Sequence, residues 1–367
     1  MTDLPAFFSD DYVTARRRFV EAARAAGLTQ ASHPLGGIGP DGTPLTLDVA
    51  ILPPPDGKPP KLTVVVSSGL HGIEGYFGSA VQLALLHQPL APIPGVRQVL
   101  IHALNPYGFA WIRRVNEHNI DLNRNFLHPG EAYTGSPEAY GALDRLLNPP
   151  SPPKAFEFFM LRAGAQIARR GYSALKEAVA SGQYDFPLGL FFGGDGPSDL
   201  VGLLDAELPG WIGGAPEVLH VDFHTGLGSS GTYALIVDRA ADHPRARWMA
   251  DLFGEQVIQP WDTGGVSYAI RGGMGTWCQQ RVPEANYDVI TAEFGTVPSL
   301  KVLKALRAEN RAHHHCSAED RRRKAAKGQL REAFIPRDPS WRHVVVERGL
   351  AVVEQALSAR DHISETT

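Results

Sequence analysis

Short apolar segments rich in β-branched residues recur along the chain: "LTLDVAIL", "LTVVVSS", "RQVLIHALN", "EVLHVDFHT", "YALIVD" and "DVITAEFGT". Each has the length of a strand and is bounded by Gly, Pro, Asn or Asp. Helical patterns separate several of them, as at residues 77–87 and 244–258. Ahead of the first, "DDYVTARRRFVEAARAAG" alternates with a helical period, carries acids in its first turn and stops at Gly27, which predicts an amphipathic helix over 10–26. Nearly continuous apolar strands alternating with helices predict an α/β fold whose sheet is covered on both faces.

The pattern loosens between residues 128 and 216. "LNPPSPPKAF" is broken by prolines, "AFEFFMLRAGAQIARRGYSALKEAVASGQ" reads as one or two helices, and "GLFFGGDGPSDL" as a glycine-rich loop. Strand-like segments on both sides look like parts of one sheet, so the stretch reads as an insertion within a single domain spanning 1–367. Farther on, "AHHHC" at 312–316 is expected to be a surface loop, since three adjacent histidines cannot face one ion from a regular element. The basic run "AEDRRRKAAKGQLREAF" reads as a solvated helix face capped by Ser317.

Composition narrows the functional classes. A formal charge of −4 gives no ground for nucleic acid or an anionic membrane as partner. No apolar stretch approaches the ~18 residues that span a bilayer. The opening "MTDLPAFFSDDYVTARRRF" lacks a continuous apolar core, so no secretory leader is expected. Two cysteines, Cys278 and Cys316, make no disulfide framework, which fits a reducing cytoplasm. A homo-oligomer stays open.

The chemistry begins directly after "LTVVVSS". The segment "SSGLHGIEGYFGSA" presents His71 and Glu74 three residues apart among glycines, so their side chains lie on one side of a turn or first helical turn. The loop after a strand's carboxyl end is where open α/β sheets place ligands. A catalytic zinc site needs three protein ligands and leaves one position free. The third is expected from "LHVDFHTGLG", where strand alternation puts His220, Asp222 and His224 on one face. His224 lies nearest the loop and is the expected ligand; His220 reads as a core histidine. Glu293 ends another apolar strand in "DVITAEFGT", as a general base or as half of a salt bridge. Finally "NPYGFAWIRRVNEHNIDLNRNF" concentrates arginines, asparagines and an aspartate in a way that suits gripping a carboxylate.

Together these segments resemble the zinc carboxypeptidase family, which includes the aspartoacylase and succinylglutamate desuccinylase branch. The family pattern of His-x-x-Glu, Asn-Pro-x-Gly, Asp-x-Asn-Arg-Asn, a strand-borne His and a late Glu appears as His71–Glu74, Asn105–Gly108, Asp121–Asn125, His224 and Glu293. Most closely the chain is similar to a bacterial branch described as a domain of unknown function. The resemblance implies a mixed, mostly parallel eight-stranded sheet between helices, and one zinc ion per chain held by His71, Glu74 and His224. It implies Glu293 as the base, Arg114 (or its neighbour Arg113) facing the oxyanion, and Asn123 with Arg124 holding a substrate carboxylate. Asp121 would orient a ligating histidine. The family's mobile tyrosine has its nearest counterpart in Tyr268, with Tyr287 second, and the glycine-rich "GLFFGGDG" would form a lid or rim over the pocket.

The expected activity is zinc-dependent hydrolysis of an amide bond in a small peptide or N-acyl amino acid bearing a free carboxylate. The alternative is a catalytically silent binding protein on the same scaffold. A serine hydrolase fares worse, since no G-x-S-x-G elbow is present and "GLGSSGTY" has the wrong spacing.

Overall fold

The computed structural model describes residues 3–154, 157–172, 179–261 and 270–363. Its centre is one eight-stranded sheet in the order β1-β2-β4-β3-β5-β8-β6-β7, formed by β1 (Thr29–Ile38), β2 (Pro44–Leu52), β3 (Leu62–Ser68), β4 (Val96–His102), β5 (Glu217–Thr225), β6 (Tyr233–Val237), β7 (Ile258–Pro260) and β8 (Asn286–Phe294). The sheet is mixed: β3 runs parallel to β4 and β5, β5 to β8, and β6 to β7, while β1/β2, β2/β4 and β6/β8 are antiparallel. All six segments recognised in the sequence are strands. The two others are edges.

Helices cover both faces. On one, α1 (Tyr12–Ala25) and α2 (Gly75–Leu86) pack with the C-terminal helices. Every residue of α2 is buried, as expected of "GYFGSAVQLALL", which is apolar around its whole circumference. Its one amide, Gln82, donates to the carbonyls of Val66 and Ile101 at 3.0 and 2.9 Å, so the buried polar group is satisfied. The first helix starts at Asp11, whose side chain accepts from the Thr14 amide, and ends before Gly27 in the left-handed region. The short α3 (Pro106–Trp111) lies on this face too, its Phe109 ring against Tyr12 and Tyr76. On the opposite face lie α6 (Asp199–Ile212) and α8 (Met274–Arg281) beside a second apolar cluster. Between them in sequence come α4 (Glu138–Leu147), α5 (Phe159–Arg170) and α7 (Pro244–Phe253).

Two expectations fail near the C-terminus. The "AHHHC" histidines form the last turn of α9 (Ser299–His315), not a surface loop, and tertiary partners hold them there: His314 Nε2 lies 3.3 Å from Asn119 Oδ1 and His313 Nδ1 lies 3.3 Å from the Arg323 guanidinium. The following α10 (Arg321–Phe334) is capped by Asp320, which accepts from the Arg322 amide, rather than by Ser317. The chain closes with α11 (Pro339–Ser358).

The topology fixes where chemistry can occur. β3 is followed in space by β4 on one side and β5 on the other. The strand order reverses there, and the loops leaving the carboxyl ends of β3 and β5 diverge into a crevice. β5 and β8 are parallel neighbours, so the ends of β3, β5 and β8 open on one rim.

Candidate functional site

The loop leaving β3 turns at Gly69, in the left-handed region at φ +71°, where side chains are costly. Gly72 then presses against the backbone of α3. A Cβ on it would lie 2.1 Å from the Gly108 carbonyl carbon. Two backbone bonds tie the loops together, from Gly72 N to Arg114 O at 3.1 Å and from Ile73 N to Arg113 O at 2.8 Å. His71 and Glu74 are thereby delivered to the rim, both buried.

His71, Glu74 and His224 each offer a ligand atom, all within 4.8 Å of one another, and among the described residues they form the one such group. The imidazole rings lie 5.0 Å apart. Glu74 Oε2 accepts from the Thr225 amide at 2.9 Å and lies 3.1 Å from His224 Nδ1. Arg114 donates to His71 Nε2 at 2.7 Å, to Glu74 Oε1 at 3.3 Å and to Asp121 Oδ2 at 2.9 Å. Glu293 lies beside His224 in the β5/β8 register, and its Oε1 accepts from the Leu227 amide at 2.9 Å.

The electrostatics are those of charges confined without enough counter-charge. Burial, then Arg114 and His224, hold the His71 imidazole far below its usual range, so it is neutral. Burial also opposes charge on His224, but Asp222 and Glu74 outweigh it and hold that imidazole protonated. Burial and the nearby Glu74 push Glu293 up to about 8, against the pull of His224, the Leu227 amide and Arg114.

This donor set fits a zinc ion. Two imidazoles and a carboxylate are the nitrogen and oxygen ligands zinc takes. Two buried atoms facing each other across 3.3 Å, His71 Nδ1 and Asp121 Oδ1, lack hydrogen-bond partners. The proton on His224 sits between two carboxylates, where a divalent cation would do the same electrostatic work.

Behind His224 runs a buried relay. His224 Nε2 meets Asp222 Oδ2 at 2.5 Å, and Asp222 Oδ1 accepts from the Ser67 hydroxyl at 2.5 Å. That hydroxyl lies 2.7 Å from His220 Nε2, and His220 Nδ1 lies 3.0 Å from the Tyr287 hydroxyl. His220 is therefore a core histidine, held neutral by burial with its pKa near 4. Sequence reading gave no role to Ser67 or Asp222. The alternation that placed Asp222 on the face of His224 was the available signal.

A cavity of about 190 Å³ opens on this cluster, lined among others by Arg114, Asn123, Arg124 and Glu293. Arg113 is elsewhere. It is fully buried and held by Glu309, Asn119 and Asn310 at 3.0–3.1 Å. Arg124 is also fully buried, donating to the carbonyls of Ala180 and Asn123, while Asn123 Oδ1 accepts from the Met274 amide at 3.1 Å. Tyr287 lies in the core, away from the lining, and Tyr268 falls outside the described residues. The 128–216 stretch supplies one wall, including Phe191 of the glycine-rich segment, whose ring lies 5.4 Å from the Arg114 guanidinium carbon.

Residues 8–348 match the model of the family described as "Protein of unknown function (DUF2817)". The chain belongs to that family. No curated protein matches it. Among solved structures, it is similar to murein-tripeptide amidase MpaA from Escherichia coli O157, at 19% identity and TM-score 0.38, covering 84% of this chain and 93% of that one. It is also similar to carboxypeptidase A from Helicoverpa armigera, at 13% identity and TM-score 0.45, covering 96% and 75%. A metallo-carboxypeptidase from Burkholderia cenocepacia shares 11% identity at TM-score 0.41, covering 94% and 68%. With identities and scores this low, the functional reading of this family member rests on the site's own geometry. No helix among the described residues is long and apolar enough to cross a membrane.

Proposed function

We propose that the chain is a zinc-dependent amide hydrolase acting on a small peptide or N-acyl amino acid with a free carboxylate. The observation that carries this reading is the convergence of His71, Glu74 and His224 on one cavity with Glu293 alongside His224. When bound, zinc supplies a Lewis acid that polarises the scissile carbonyl and lowers the pKa of water. Glu293 takes a proton from the attacking water and returns one to the leaving amine. Its place beside His224, with one backbone amide as partner, leaves the carboxylate free to make both transfers. Arg114, with its guanidinium at the mouth of the cluster, meets the negative charge that develops on the carbonyl oxygen. Asn123 and Arg124 anchor the substrate carboxylate, and Asp121 orients His71.

The proposed setting is the cytoplasm, in keeping with two free thiols at Cys278 and Cys316, and nucleic acid is not a proposed partner. The test is hydrolysis by metal-loaded protein of N-acyl amino acids with free and with amidated carboxyl groups. Activity abolished by chelator, restored by zinc and restricted to the free acids supports the reading. A chelator-insensitive rate would sink it, and indifference to amidation would remove Arg124 and Asn123 from their roles.

A further inference from the structure

The cavity floor is one face of the sheet, and its rows can be read across the strands. His224 pairs with Glu293 and Glu293 with Ala234. One pleat further from the rim, Asp222 pairs with Thr291 and Thr291 with Ile236. Asp238 follows the last paired residue of β6, Val237. It continues the same alternation and lines the same cavity. From Ala234 to Asp238 is four residues, which places Asp238 roughly 13 Å along the strand from the level of Glu293.

This carboxylate has no role in the chemistry above and, among the described residues, no salt bridge or hydrogen-bond partner. The adjacent Arg239 turns to the other face, onto Asp288 at 2.8 Å. Burial pushes the Asp238 carboxyl up to about 6, with Arg239 only partly offsetting this. The protein makes room for it nevertheless. A Cβ on Gly275 would lie 1.7 Å from Asp238 Oδ2, so the carboxylate rests in the recess that this glycine leaves.

The start of α8 ties Asp238 to the carboxylate anchor. The Met274 amide donates to Asn123 Oδ1, a Cβ on Gly272 would lie 2.3 Å from the Arg124 carbonyl oxygen, and Gly275 carries the Asp238 recess. Within four residues the chain touches the Asn123 side chain, the Arg124 main chain and a solitary acid. Ile236, Val289 and Met274 form apolar walls nearby. An apolar sleeve ending in an unpaired carboxylate suits a flexible aliphatic stem with a cationic head.

Resting on the amide-hydrolase reading, we propose that Asp238 selects substrates whose leaving amino acid carries an ammonium or guanidinium side chain. The comparison is Nα-acyl-lysine against Nα-acyl-norleucine in zinc-loaded protein, with binding of free lysine and norleucine measured in parallel by calorimetry. The lysine compounds are favoured by roughly 10- to 100-fold, the range of a charge-assisted hydrogen bond in a partly desolvated site. In Asp238→Asn that ratio collapses towards one, and Gly275→Ala, which fills the recess, lowers it too. A melting temperature for Asp238→Asn at or above the parent's separates selection from a structural role, because an unpaired buried charge costs stability. Equal hydrolysis of both substrates, or a ratio unchanged in Asp238→Asn, overturns the proposal while leaving the hydrolase reading intact. If neither substrate is cleaved but lysine binds in preference through Asp238, the hydrolase reading fails and this one stands. Neither cleavage nor preferential binding removes both.

Discussion

The two ends of β8 each bury a carboxylate, and they are treated in opposite ways. At the amino end Asp288, 1% exposed, is met by Arg239 at 2.8 Å and Arg245 at 2.6 Å. At the carboxyl end Glu293 receives one backbone amide, faces Glu74 and is left with a raised pKa. Five residues apart, the two project to opposite faces of the strand. A buried acid that serves the fold is neutralised by cations on the spot. One proposed to serve chemistry, as Glu293 is, is kept short of them. Asp238, next to Arg239 in sequence, belongs with Glu293 by this criterion.

Substitutions can break or sharpen the contrast. The largest effect is expected for His224→Ala, which should lose stoichiometric zinc and all measurable turnover, since a three-ligand site rarely survives on two; metal analysis after dialysis checks it. Glu293→Gln should retain zinc, lose about 10²- to 10⁴-fold in turnover and leave the urea midpoint of the metal-free protein unchanged or higher. A lowered midpoint would place Glu293 with Asp288 as a structural acid.

A purely structural buried group should report on stability alone. His102 is fully buried in β4 beside Ser79, and burial holds its pKa at about 4. The unfolded chain protonates this imidazole first, near pH 6.5, so its contribution is complete above that pH and is lost as pH falls to 4. The loss amounts to about 3 kcal/mol, and His102→Gln should flatten the urea midpoint across that window. Asp288→Asn should cost about 2 kcal/mol, below the range for a fully buried pair because both arginines are partly exposed, without altering zinc content. Smallest, Asp222→Asn should weaken zinc binding by roughly tenfold through a misoriented His224, read in a competition titration with a chromophoric chelator.

What the sequence displayed and what it hid follow the same physics. The six inner strands were legible because burial on both faces demands continuous apolar runs. The edges were not. β1 reads "TQASHPLGGI", largely exposed and interrupted by proline and glycine, and β7 has only three residues. His71, Glu74, His224 and Glu293 stood out as polar groups at the ends of apolar runs. Arg113 and Arg114 differ by one position and share every local property, so only packing against Glu309 sends one into the core. The relay through Ser67 and His220 was hidden because its members come from three neighbouring strands, and register is a tertiary fact.

The flat contact of Gly72 on Gly108 carries a consequence for anyone who would rebuild this pocket. The segment bearing two metal donors and the one bearing Arg114 are cemented backbone to backbone, with no side chain between them to serve as a shim. They form a single rigid casting, and grafting either onto another scaffold without its mate would misplace the donors by the width of a methyl group.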